Sequence, residues 1–117
     1  MENYTHTISE LPGKILNLPF VFEDVVYMRG ESNYTIFTLV NRKQYITSRT
    51  LRVYEALLPD TFVRIHKGCI INLAYLESLC NAERVAQLKD GSSIGIARRR
   101  WPQVKNMMLK HKLRTMY

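Results

Sequence analysis

Phe62-Val63-Arg64-Ile65-His66-Lys67-Gly68-Cys69-Ile70-Ile71-Asn72 reads as two short apolar strands on either side of a cationic break. Arg64, His66 and Lys67 fall within four positions. Packing gives no evident reason to gather donors at the end of a buried strand, so the cluster is expected to face something polyanionic. Further along, Ile94-Gly95-Ile96-Ala97 leads straight into Arg98-Arg99-Arg100-Trp101, a second strand that ends in positive charge. Two such strand ends on a chain of net charge +7 point toward nucleic acid.

Charge is unevenly distributed. Residues 1–28 carry a net −3 and residues 29–117 a net +10, and from Gly95 onward there are seven Lys or Arg and no acid. Composition alone leaves an anionic membrane surface or an acidic protein as other partners for such a chain. The 117 residues suit one domain, and an apolar share of 46% suits a globular one. No apolar run approaches the roughly 20 residues of a spanning helix, and the N-terminus lacks the pattern of a secretory signal. A cytoplasmic location is therefore expected.

Working outward, Met1–Pro12 is polar and unpatterned and reads as a flexible lead-in. Strand character runs from Lys14 through Ile15, Leu16, Leu18, Phe20 and Phe22 to Val25-Val26-Tyr27-Met28. A polar break at residues 29–33 precedes Tyr34–Val40, where apolar residues on both faces predict burial on both sides. Asn41-Arg42 suits a hairpin tip leading into residues 43–47. Leu51, Tyr54 and Leu58 then follow helical spacing, with Thr50 as N-cap and Pro59 as stop.

After Phe62–Ile65 and Ile70–Leu73, residues 74–79 are expected to continue the second strand. Arg84–Leu88 and Ile94–Ala97 flank Asp90-Gly91, a strong tight-turn signal. Trp101-Pro102 starts a last helix, with Val104, Met107, Met108 and His111 on one stripe and Lys105, Lys110 and Lys112 toward water. That stripe is core by default, or a surface that pairs two copies. The sum is a mainly β chain of layered sheets with two short helices. The two helices lie too far apart in sequence to form a helix-turn-helix.

Together these motifs resemble the LytTR DNA-binding domain of bacterial response regulators and transcription factors. The resemblance covers roughly Lys14 to His111, within a domain drawn at 13–113 and followed by a short tail at 114–117. It rests on Glu23–Met28, on Ser32-Asn33-Tyr34-Thr35, on the helix from Leu51 to Leu58-Pro59, and on the Phe62–Asn72 core. Asp90-Gly91 and Ile94–Arg99 complete it. Gly68 and Cys69 stand where the family has Ser and an aromatic residue, and Gly95 and Ala97 where it has Pro and Ser. No receiver domain precedes the module in these 117 residues, which suits a stand-alone regulator if Met1 is the native start.

What the resemblance implies is an elongated β-β-β sandwich that puts loop residues, not a helix, into successive major grooves of duplex DNA. Two copies on repeated sites, or a homodimer, would fit. It implies that Arg98 reads a base; Arg99 and Arg100 suit phosphate, or one of them points back into the fold. Asn33 bonds adenine and Tyr34 reaches phosphate. His66 and Lys67 meet phosphate or a base edge.

Each has a plainer reading that the residues alone leave open. Arg64 suits DNA or an ion pair with an acid, His66 suits a structural hydrogen bond, and turn chemistry alone explains Gly30, Ser32 and Asn33. Asn72, inside an apolar strand, is expected to be a buried hydrogen bonder. If about five phosphates are contacted per domain, log K falls with log salt at a slope of roughly −4 to −5. The competing function is a basic protein-interaction module holding an acidic partner or another regulator.

No catalytic constellation or cofactor motif is visible, and the three histidines have no metal spacing. Cys69 and Cys80 are expected to be reduced thiols, with a redox-switched disulfide as the alternative.

Overall fold

The computed structural model describes His6–Ile8 and residues 18–115. Its larger sheet has six strands: β1 (His6–Ile8), β2 (Val25–Glu31), β3 (Tyr34–Leu39), β4 (Gln44–Thr47), β5 (Phe62–His66) and β6 (Cys69–Asn72). They lie in the order β1-β4-β3-β2-β6-β5, antiparallel except for the β1–β4 pair. A smaller antiparallel sheet holds β7 (Leu76–Cys80), β8 (Val85–Leu88) and β9 (Ser93–Gly95) in sequence order. Helices α1 (Leu51–Glu55) and α2 (Trp101–Thr115) complete the described fold.

Two cores cover the two faces of the larger sheet. Because side chains alternate along a strand, Val63, Ile65, Cys69 and Ile71 face one way. They pack with Leu76, Ala86, Leu88 and Ile96 of the smaller-sheet region and with Val104 of α2. Phe62 and Ile70 face the other way, joining Phe37, Leu39 and the α1 residues Leu51 and Tyr54. A bulge between Val25 and Tyr27 resets the alternation, so Val25 and Met28 share the α1 face although three positions separate them. The resulting layers are α1, the six-stranded sheet, and then the smaller sheet with α2.

Expected burial of Tyr34–Val40 on both sides holds for Thr35–Leu39, all five of them buried. Arg42, at φ 74, turns the β3–β4 hairpin where it was expected, and Gly91, at φ 94, turns β8 into β9. Thr50 occupies the N-cap with extended backbone but makes no side-chain cap. Val104 is fully buried in α2, Met107 and Met108 are half-buried, and Lys105, Lys110 and Lys112 are exposed.

Several expectations are corrected. The polar residues Arg29-Gly30-Glu31 do not break β2; they extend it, and only Ser32-Asn33 form the turn. Gly30 is there for space. A Cβ on it would lie 3.1 Å from Leu51 Cγ, so a larger residue here would press against α1.

Residues 74–79 do not continue β6. Asn72, 2% exposed, donates its Nδ2–H to the Val25 carbonyl at 2.9 Å, and its Oδ1 accepts from Ala74 N–H at 3.0 Å. That second bond caps a 3-10 turn over Leu73–Tyr75, which redirects the chain into the smaller sheet.

In the expected lead-in, His6–Ile8 pair in parallel with Tyr45–Thr47. The rest of that lead-in, with Ile15 and Leu16, lies outside the described residues. At the other end α2 runs on to Thr115, into the stretch expected to be a tail, and at 15 residues it is not short.

Candidate nucleic-acid interface

Strand direction decides which loops meet. β2 ends at Glu31 where β6 begins at Cys69, because Arg29 pairs with Cys69 in antiparallel register. The Ser32-Asn33 tip and the Lys67-Gly68 tip therefore share one end of the larger sheet. Gly30 N–H donates to the Gly68 carbonyl at 3.0 Å and ties the two tips together.

Ala97 N–H donates to the Ile65 carbonyl at 2.8 Å, bringing in the 3-10 turn of Arg98–Arg100 beside β5. Thus three segments far apart in sequence converge on one edge. With strands about 4.8 Å apart, the two hairpin tips are centred about 10 Å from each other, and the arginine turn extends the row to about 17 Å.

Asn33, Tyr34 and Lys67 are exposed at the two hairpin tips, and Ser32 adopts φ 55 in a two-residue turn with only its first position left-handed, as in a type II′ hairpin. Arg98 and Arg99 are exposed as well, and among the described residues nothing engages their side chains or that of Lys67. Arg100 is half-buried, its Nη1 3.5 Å from the Arg64 carbonyl.

Arg64 takes the plainer of its two readings. Its Nη1 lies 2.8 Å from Glu55 Oε1, its Nε donates to the His66 carbonyl at 3.4 Å, and its Nη2 donates to the Lys67 carbonyl. The guanidinium is engaged by three acceptors of the protein itself.

His66 likewise has a structural bond: its Nδ1 accepts from Gly68 N–H at 3.0 Å. An accepting Nδ1 carries no proton, which assigns the neutral ring with N–H at Nε2. Burial first, then the guanidinium groups of Arg64 and Arg100, hold its pKa below the usual imidazole range. His66 shapes the turn that presents Lys67 and keeps one donor for a ligand.

Two residues near this edge gave no clear sequence signal. Glu55 looks like any acid at the end of a short helix. Arg84, at φ 52, leads into β8, and its carbonyl accepts from Ile96 N–H at 2.8 Å, which sets it beside the strand feeding Arg98. Elsewhere, Cys69 and Cys80 are free, and burial pushes the Cys69 thiol up to about 12. Among the described residues no three His, Cys, Asp or Glu side chains gather as a metal site would require, and no helix is long and apolar enough to cross a membrane.

A layered β domain with an exposed cationic edge built from strand ends has the charge to meet a polyanion. The LytTr DNA-binding domain family model matches residues 14–109, and the chain belongs to that family. Among solved structures it is similar to a LytTr DNA-binding domain from Bacillus cereus. The TM-score is 0.69 at 18% identity, covering 78% of this chain and 86% of that one. No curated protein matches the chain.

Proposed function

We propose that this chain is a sequence-specific regulator of transcription that binds double-stranded DNA in the cytoplasm through the tips at one end of its larger sheet. The observation that carries the reading is the convergence of the Ser32-Asn33, Lys67-Gly68 and Arg98–Arg100 segments, locked by the Gly30–Gly68 and Ala97–Ile65 backbone bonds. Membership in a DNA-binding family supports it.

A row of about 17 Å crosses a minor groove, about 6 Å wide, and brings its two ends to the major grooves on either side. Asn33 and Tyr34 serve one groove and Arg98 the other. Arg98 presents a guanidinium fork to guanine O6 and N7, and Asn33 pairs with adenine. Lys67, in the middle of the row, and Arg99 meet phosphate, which positions the domain without reading sequence. Arg64 and His66 support the middle turn instead of contacting bases.

The domain's longest dimension is 40 Å, so one copy covers little more than a helical turn of about 34 Å. Two copies on repeated sites then lengthen the sequence read and raise affinity by tethering. Selection from a random duplex library tests the reading: recovery of a defined motif, reproduced in repeats, is expected. Recovery of no motif, with binding equal for all duplexes, would overturn it in favour of a basic module for acidic proteins.

A further inference from the structure

Glu55 is an acid close to a surface that must meet a polyanion, a position electrostatics alone disfavours. Its carboxylate lies 2.8 Å from Arg64 Nη1, and the Arg64 side chain is only 18% exposed. The same guanidinium donates to the carbonyls of His66 and Lys67. Meanwhile the Arg64 carbonyl accepts from Arg100. A guanidinium is planar with its donors in a fixed fork, so satisfying acceptors on two sides fixes their relative placement. One side is α1; the other is the turn carrying Lys67.

We propose that Glu55 is a positioning residue for DNA recognition: it orients Arg64, and through Arg64 it holds the Lys67 turn in register with the Arg98–Arg100 turn. This rests on the DNA-binding reading above. Glu55 touches no DNA itself. Without it, Arg64 is released from α1 and the two carbonyls lose a fixed donor. The turn then samples conformers in which Lys67 and Arg98 no longer match the same duplex.

Two effects of removing the charge have opposite signs, which makes the idea sharp. At 0.1 M salt the Debye length is about 10 Å, so deleting a nearby negative charge should strengthen binding if only long-range electrostatics matter. If positioning dominates, binding weakens.

The test uses the full chain and a duplex selected by the wild type from a random pool. Binding is followed by fluorescence anisotropy over a salt series, and a thermal melt checks folding. Glu55→Gln and Arg64→Lys should each weaken binding by about 3- to 10-fold, scaled to a half-exposed charged hydrogen-bond network. The salt slope should stay at the wild-type value, and the double variant should bind no worse than the weaker single one. Amide resonances of Lys67 and Gly68 should shift in Glu55→Gln while those of the smaller sheet do not. Should Glu55→Gln fail to fold, Glu55→Asp keeps the charge, shortens the reach and is expected to show the same loss. Wild-type or tighter binding by a folded Glu55 variant overturns the proposal, as does full affinity in Arg64→Lys. A wild type that binds no duplex overturns the DNA reading itself, a separable result.

Discussion

Lys67→Ala separates a cation that meets phosphate from one that merely decorates the surface. A count on the sequence alone, taking about five phosphates, gave a salt slope of −4 to −5. The geometry lowers that count. Arg64 is committed to Glu55 and two carbonyls, and Arg100 is half-buried against the Arg64 carbonyl. Lys67, Arg98 and Arg99 remain exposed at the reading edge.

With Arg98 on a base, Lys67 and Arg99 are the two phosphate contacts; at about 0.9 per contact they give a slope of about −1.8, and removing one gives about −0.9. Between 50 and 200 mM salt the wild type should then lose about 12-fold in affinity and Lys67→Ala about 3- to 4-fold. Anisotropy titrations on one duplex at four salt concentrations measure both lines. Parallel lines for the two proteins would refute phosphate contact by Lys67. A wild-type slope near −5 would refute the commitment of Arg64 to Glu55 and the two carbonyls.

Other consequences follow from individual contacts. Arg98→Ala should cost about 1–3 kcal/mol of discrimination at one base pair, with little change on mismatched duplexes, because a guanidinium fork reads guanine; equal loss on every sequence would reject base reading. Asn72→Ala should destabilise by about 1–3 kcal/mol in urea titration, since the buried Val25 carbonyl loses its donor while exposed Ala74 N–H can turn to water; a change under 0.5 kcal/mol would contradict this. Because His66 is held neutral in the fold, its contribution to stability is present above the unfolded imidazole pKa of about 6.5 and is lost as pH falls below it. Protonating Nδ1 removes the acceptor for Gly68 N–H. Denaturation at pH 7.5 and 5.5 should show a loss that His66→Gln lacks, and an equal loss in both proteins would place the cause elsewhere. Native protein at pH 8 should alkylate at Cys80 well before Cys69, whose thiol pKa is about 12; equal labelling would refute that burial.

Local patterns carried much of the fold. β3 announces itself by apolar residues on both faces, the Asp90-Gly91 turn by a glycine that tolerates positive φ, the Asn41-Arg42 turn by its polar break between strands, and α2 by Pro102 and its apolar stripe. The misses all required tertiary information. Gly30 looks like a turn residue until Leu51 is set above it. Asn72 looks like a strand residue until its amide is seen reaching Val25, 47 positions back, while also capping Ala74.

The candidate site divides the same way. Arg98, Arg99 and Lys67 were legible as unpaired charge at strand ends. What Arg64 does depends on a carboxylate nine positions away on another element, and no motif connects the two. The meeting of residues 30, 68, 65 and 97 depends on strand order, which periodicity does not encode.

Main-chain bonds, Gly30 to Gly68 and Ala97 to Ile65, join the three tips, with the Arg64 and His66 side chains bracing the middle one. Such bonds are indifferent to the side chains mounted on them. Asn33, Tyr34, Lys67 and Arg98 thus resemble exchangeable type in a fixed frame: new letters can be set without recasting the frame. On the proposed reading, substitution at Asn33 and Arg98 should move the preferred motif, with the hydrophobic layers beneath left as they are.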